Sequence, residues 1–308
     1  MNTIKFSKIS NLTTEQHNLE LIDIHEDKIF GESLKIYHPC NLNIFIGNIC
    51  HNRCGFCINK NVNPRIDDKT YYAALKKCLS ELQGKHFEIT ITGGEPTLEK
   101  ERLVEVMRLC KEYGFPCRTF STTGRHIMTP YEGKLLCQHM IENNFINNIN
   151  ISRMDISEEG NKQIFIGDNL SNEEIEKLAV FFNLNDAQMR ISCNLIEGHI
   201  DTFDRMLGFV DFYRKKEVET VMFRELVGVK NSIKLADIAC FDERFSFIER
   251  LHGLIYDVDI YRYKDMLVKH YITKENIPTD VVFSMSFNEG ILMDNFCGNV
   301  FKKDMRSL

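Results

Sequence analysis

The sequence is poor in the residues that mark disordered or fibrous chains, with 17 Gly and 6 Pro among 308 residues. With 43% hydrophobic and 27% charged residues it has the balance of a folded globular protein. It has no apolar run of about 18 residues, so no membrane-spanning helix is expected. It has no excess of positive charge: 44 acidic residues against 38 basic ones give a net charge of −6. No whole-chain basic field exists to draw in nucleic acid. The segment Met1–Ser10 carries lysines without an apolar core and does not read as a secretory signal. No low-complexity tract, linker or repeat beyond a βα rhythm is visible. The length suits one large domain or two small ones, and a cytoplasmic location is the expectation.

Cysteine is the residue in unusual supply. Eleven are present, an odd number, so reduced thiols are expected rather than a disulfide framework. Most are isolated, and Cys78, Cys110 and Cys137 sit in apolar helical patterns as packing residues.

Strand-like runs at Leu42–Gly47, Phe87–Thr92, Pro116–Thr123, Phe145–Arg153, Ala187–Leu195 and Val218–Leu226 alternate with amphipathic stretches. These stretches lie near Lys69–Leu82, Leu98–Tyr113, Glu132–Asn143, Asn172–Phe182 and Thr202–Lys215, with another helix expected near Asp242–Tyr256. Such alternation implies βαβ units and a parallel sheet. Parallel strands buried on both faces read as continuous apolar runs. These alternate instead: Gln188, Arg190, Ser192 and Asn194 oppose Met189, Ile191, Cys193 and Leu195. The apolar faces are therefore expected to meet the helices while the polar faces line a concave, hydrated space. The expected fold class is α/β, a partial (β/α)6 TIM-like barrel over residues 42–256. Small β-rich extensions flank it at 1–41 and 257–308. Hairpins are expected about Lys264–Asp265 and Asn288–Gly290, and a strand at Leu19–Ile24.

Directly after the first strand comes Cys50-His51-Asn52-Arg53-Cys54-Gly55-Phe56-Cys57, a C-x3-C-x2-C loop. Three thiols this close on one loop have little packing role, and a metal is the natural explanation. On ligand type alone, zinc and an iron–sulfur cluster are equally open, with His51 or Cys40 as a possible fourth ligand. The loop stands at the C-terminal end of a strand, where ligands bind in barrels and parallel sheets. The second strand ends in Thr92-Gly93-Gly94-Glu95-Pro96, whose glycines allow close backbone approach.

Together, C-x3-C-x2-C at 50–57, Gly-Gly-Glu-Pro at 93–96, Phe56 before the last cysteine and six βα units resemble the radical S-adenosylmethionine superfamily. The resemblance covers about residues 42–226. It implies that Cys50, Cys54 and Cys57 hold a 4Fe-4S cluster whose open position takes the amino and carboxylate groups of S-adenosyl-L-methionine. It implies contacts to the amino group from Gly93, Gly94 and Glu95, and Phe56 near the adenine. Ser121, Asn150 and Ser152 at the third and fourth strand tips are similar to the family's small polar positions there. Ser157–Gly167 resembles the helical stretch of the molybdenum-cofactor cyclase and viperin branches. Asp168 stands where viperin-type enzymes place an arginine, so Arg190 becomes the candidate carboxylate clamp, with Arg153 behind it.

The resemblance implies one-electron cleavage of S-adenosylmethionine to a 5′-deoxyadenosyl radical, with the electron from a reductase such as a flavodoxin or ferredoxin. The candidate catalytic residues are Arg190, Arg224 and Asn194, with Arg224 expected to face inward and to suit an anionic substrate. Cys240 and Cys297 are too few for a second cluster, and no leader-peptide domain of ordinary size fits into 41 residues. The expected substrate is a polar small molecule or a peptide residue. A viperin-like nucleotide dehydratase and a non-catalytic zinc- or iron–sulfur-binding module are the alternatives.

Overall fold

The computed structural model describes residues 23–57, 63–115, 117–143, 148–226, 233–238, 242–274, 277–294 and 300–307. Of the strand expected at Leu19–Ile24 only the last two residues fall within this range, and Cys240 and Cys297 lie outside it.

The chain opens with a hairpin of β1 (Ile24–Ile29) and β2 (Glu32–Phe45), turned through Phe30 and Gly31, both at positive φ. Helix α1 (Asp68–Leu82) begins where the Asp67 carboxylate accepts from the Thr70 amide. Then follow β3 (Phe87–Thr92), a 3-10 turn at Pro96–Leu98, α2 (Lys100–Glu112) and β4 (Cys117–Thr122). A two-residue ribbon, β5 (Pro130–Tyr131) with β6 (Lys134–Leu135), leads into α3 (Leu136–Glu142). Next are β7 (Asn148–Ser152), α4 (Glu158–Phe165) and α5 (Asn172–Leu184), whose start is fixed by a reciprocal Ser171–Glu174 capping box. The βα series ends with β8 (Gln188–Asn194), α6 (Phe203–Arg214), β9 (Thr220–Arg224) and the short α7 (Leu235–Ile238).

Strands β2, β3, β4, β7, β8 and β9 pair side by side, all parallel and in chain order. Right-handed crossovers between neighbours in that order put every connecting helix on one face, the arrangement of a barrel wall. The contacts agree. Phe209 of α6 packs on Phe223 of β9, and the Tyr71 hydroxyl of α1 donates to the Phe45 carbonyl. The opposite face is polar, as the alternation predicts. Asn43 donates to Ser284, Thr90 to Asn41, Gln188 to Thr220 and Arg190 to Asn150. These cross-strand bonds let many of the polar side chains on the concave face find partners.

The C-terminal part adds β10 (Phe245–His252), β11 (Tyr256–Tyr263), β12 (Met266–Thr273), β13 (Val282–Asn288), β14 (Ile291–Asp294) and β15 (Lys302–Asp304). Strand β12 joins β9 in parallel at one edge, and β13 joins β2 in parallel at the other. The terminal strands thus continue the same sheet, and β2 runs unbroken across residues 41 and 42. The turns at Lys264 and at Glu289-Gly290 carry positive φ, as hairpin turns require.

One expected element is different. The helix near Asp242–Tyr256 is strand β10, paired antiparallel with β11 and carrying a bulge between Phe247 and Glu249. Its apolar residues fit a helical period, but the Gly253 amide bonds to the Tyr256 carbonyl and turns the chain back, and hairpin pairing with β11 overrides local propensity.

Candidate active site

The cysteine loop is welded to the strand beside it. Beyond the paired part of β2 and β3, Ile46 N–H donates to the Thr92 carbonyl at 3.0 Å, Gly94 N–H to Gly47 at 2.8 Å and Glu95 N–H to Ile49 at 2.7 Å. Only glycine fits this approach. A Cβ on Gly93, whose φ is +152°, would stand 2.6 Å from the Gly47 carbonyl oxygen, and one on Gly94 would collide with the Ile49 carbonyl. The Gly-Gly pair therefore sets the path of the residues leading into Cys50.

The other side of the loop rests on the end of α4. Arg53 N–H donates to the Phe165 carbonyl at 2.9 Å, and the Phe56 ring meets the Phe165 ring edge-on at 6.0 Å. His51 Nε2 lies 2.7 Å from the Asp168 carbonyl and Asn52 donates to Asn169. The chain passes so close at Gly167 that a Cβ there would strike Asn52. Asp168 thus supports the loop through its backbone.

Cys50 is exposed and Cys54 and Cys57 are half-buried. Burial pushes the Cys54 thiol up to about 12, and the neighbouring Cys57 and Cys50 thiols push it further in the same direction. Cys50 is raised by burial, opposed by the Asn52 amide, with Glu95 and Cys57 adding to the rise. The three sulfurs are therefore electrostatic neighbours that would surrender protons to a metal. Among the described residues no three Cys, His, Asp or Glu side chains converge as ligands of one ion. One zinc, with Zn–S near about 2.3 Å, needs its thiolates within roughly 4 Å of each other. A cubane spreads its thiolates over separate irons, and the donor set fits it. Cys40 is fully buried in β2 and unavailable as a fourth ligand. His51 leaves Nδ1 buried without a hydrogen-bond partner.

Glu95 is 2% exposed, and its carboxylate is saturated by donors. It accepts from the Thr97 amide and hydroxyl, from the Thr122 hydroxyl, and from the Thr123 amide and hydroxyl at 2.8 and 2.6 Å. The side chain thus locks the third strand tip to the second. The sequence gives it an expected ligand contact; a bracing role beside that contact is signalled by its neighbour Thr97, whose amide and hydroxyl it accepts from.

The remaining candidates lie along the concave face. Ser121, Asn150 and Arg190 are neighbours in register across β4, β7 and β8, and Arg190 Nε donates to Asn150 Oδ1 at 2.8 Å. Ser152 pairs with Ser192, and Asn194 pairs with Arg224. Arg224 faces inward as expected, because Phe223 takes the helix side. Arg153 is different. It is fully buried and donates to the Tyr213 hydroxyl, the Leu170 carbonyl and Asn172, so it braces α5 and α6 and is no clamp candidate. Lys269 and Tyr271 of β12, which sequence reasoning missed, share the inner face with Arg224. Two surface hollows, one lined by Phe30, Lys76 and Tyr113 and one by Glu26, Lys35 and Asp280, lie away from all these residues.

A cysteine triad at the C-terminal end of the first parallel strand, held by a diglycine turn on the second, defines a partial-barrel protein with a three-thiol loop. Residues 40–162 match the family model described as a 4Fe-4S single cluster domain. Among solved structures, the chain is similar to SuiB of Streptococcus suis, with a TM-score of 0.50 and 18% identity over 66% of this chain and 45% of that one. SuiB bound to S-adenosylmethionine gives a TM-score of 0.53 and 19% identity over 66% and 46%. The chain thus spans under half the length of these solved chains. No curated protein matches it. The chain has the partial-barrel fold of these solved structures, and its segment 40–162 is similar to a 4Fe-4S domain, so the fold expected from the sequence holds.

Proposed function

We propose that the chain is a radical S-adenosylmethionine enzyme acting on a polar small molecule or a peptide residue. The observation that carries this reading is the three-thiol loop, fixed by Gly93 and Gly94 at the ligand-binding end of the sheet. Cys50, Cys54 and Cys57 would hold the 4Fe-4S cluster, which, with an electron from a flavodoxin or ferredoxin, supplies cleavage of S-adenosyl-L-methionine to methionine and a 5′-deoxyadenosyl radical. The chain's own residues bind and orient. The backbone of Gly93, Gly94 and Glu95 offers peptide groups to the amino group of S-adenosylmethionine, with the Glu95 side chain holding that turn in place. Phe56 flanks the adenine. Ser121, Asn150 and Ser152 offer hydrogen bonds to its ribose and carboxylate; Arg190, expected from the sequence as the carboxylate clamp, stands on β8 beside β9 and β12, on the substrate side. Arg224 and Asn194 face the substrate and position one of its hydrogens. Reduced thiols and an oxygen-sensitive cluster fit a cytoplasmic setting.

Anaerobic reconstitution tests this. A brown protein with broad visible absorbance, lost in Cys54→Ala, supports the reading; a colourless protein that takes up one zinc contradicts it. The second reading, a zinc module with the three cysteines and one histidine as ligands, is favoured only by the partnerless Nδ1 of His51. It predicts that His51→Gln abolishes zinc uptake.

A further inference from the structure

Three basic side chains gather on the concave face at the flank away from the cysteines. Arg190 of β8 is 7% exposed and Lys269 of β12 is 8% exposed, and Arg224 of β9 is half-buried between them. The register sets them at successive levels along three adjacent strands. Arg190 lies opposite Thr220, Lys269 opposite Met222 and Arg224 opposite Tyr271. Arg224, Lys269 and Tyr271 belong to the inner face, since Phe223 and His270 pack against each other on the helix side, and Arg190 shares that face through its register with Thr220. The Arg224 guanidinium sits over the Tyr271 ring at 4.4 Å, and its Nε is buried with no hydrogen-bond partner.

Among the described residues no carboxylate forms an ion pair with any of the three cations. Arg190 has Asn150 as its neutral partner. Glu225 points away and is used by Lys234, the Leu235 amide and the Thr273 amide. Asp259 pairs with Arg250. Glu249 shares the face but stands two strands from Lys269, about 10 Å at ordinary strand spacing. Buried cations without a counter-charge are costly unless something anionic joins them. The same field appears in the ionisation of the groups themselves. Burial alone would raise Tyr271, yet Arg224, Arg190 and Lys269 draw it below its ordinary value. Burial brings Arg190 down to about 10, with Tyr271 opposing the fall and Arg224 adding to it.

We propose that Arg190, Arg224 and Lys269 form a receptor for a dianionic group of the substrate, a phosphate or a pair of carboxylates. The word substrate rests on the function proposed above; the anion site itself does not. Across the sheet, the sulfur loop stands at β2 and β3, the small polar tips at β4 and β7, and the cations at β8, β9 and β12. An anionic handle held by the cations leaves the rest of a substrate lying back over the middle strands, toward the cofactor side.

The test uses the full chain without its cluster, so that it is independent of radical chemistry. Inorganic phosphate and, separately, succinate are titrated at constant ionic strength set with chloride, with binding followed by calorimetry. At least one of them binds the wild type, and which one binds identifies the handle. Lys269→Met and Arg224→Met each weaken that binding roughly tenfold or more, the loss expected for one charge-assisted hydrogen bond. A second readout needs no variant of the cations. The tyrosinate absorbance missing from Tyr271→Phe moves to higher pH when the anion is bound, because the anion offsets the field on that phenol. Binding of neither anion, or equal binding by both methionine variants, overturns the proposal. If the anion binds but no deoxyadenosine is ever formed, the function fails and the anion site stands.

Discussion

Arg102 Nη1 donates to Glu289 at 3.0 Å, and neither side chain reaches solvent. Arg102 lies on α2 and Glu289 in the turn after β13, so the pair ties the C-terminal strands to the barrel wall. Arg102 also donates to the carbonyls of Ile46 and Ile66 and to Asp68, and Glu289 accepts from the Ile66 amide. Ile46 leads directly into the cysteine loop. A contact far from any sulfur thus fixes the base of the loop.

Breaking this pair is expected to be severe. Glu289→Leu leaves the buried Arg102 with only the half-exposed Asp68 as counter-charge, a loss of up to about 3–5 kcal/mol by analogy with other buried pairs. Urea denaturation of the unloaded chain checks this. The double variant Arg102→Met/Glu289→Leu recovers a large part of the loss, because no lone charge remains. Wild-type stability in Glu289→Leu contradicts the role.

The glycines of the loop separate by position. Gly94→Ala forces a Cβ against the Ile49 carbonyl, whereas a Cβ on Gly55 meets nothing within 4 Å. Gly94→Ala is expected to lose most of its iron after reconstitution, and Gly55→Ala to keep it. Iron and sulfide analysis of the two proteins side by side decides, and equal iron content speaks against the weld between the strand tips.

Glu95→Ala removes an acceptor for five donors from Thr97, Thr122 and Thr123. Buried donors left without partners cost about 1–3 kcal/mol each, so a marked fall in thermal stability is expected even without cluster. Glu95→Gln, which keeps one carbonyl acceptor, falls less. A Glu95→Ala protein as stable as wild type, with only cofactor binding weakened, would return the side chain to a ligand role.

Stability should decline on the alkaline side. Burial raises the thiols of Cys40, Cys78, Cys110 and Cys193 above their ordinary value. Above about pH 8.5 these thiols ionise in the unfolded chain but stay protonated when folded. The unfolded state then binds fewer protons, so stability falls as pH rises, by at most about 1.4 kcal/mol per pH unit for each thiol. Denaturation curves above and below that pH check the sign; a flat profile contradicts it.

Much of this was legible in the chain itself. The C-x3-C-x2-C loop and Gly-Gly-Glu-Pro turn are local and keep their meaning without tertiary context. Period-2 alternation put Arg224 on the inner face, where it lies. The parts that were not legible depend on distant pairing. Lys269 and Tyr271 belong to a strand that reads as half of a local hairpin, and only its parallel pairing with β9 carries them beside Arg224. The apolar spacing of Phe245, Ile248 and Leu251 satisfies a helix as well as an edge strand, and the β11 partner decided between them. Arg153 and Arg190 look alike in sequence, each near a strand tip. One faces the helices and the other the cavity, a difference set by one residue of register.

The most direct measurement is product analysis of the reconstituted, oxygen-protected protein after chemical reduction with S-adenosylmethionine present. Release of 5′-deoxyadenosine and methionine by the wild type, and none by Cys54→Ala, is the predicted result. No release from a protein with full iron content, or equal release from Cys54→Ala, contradicts the assignment.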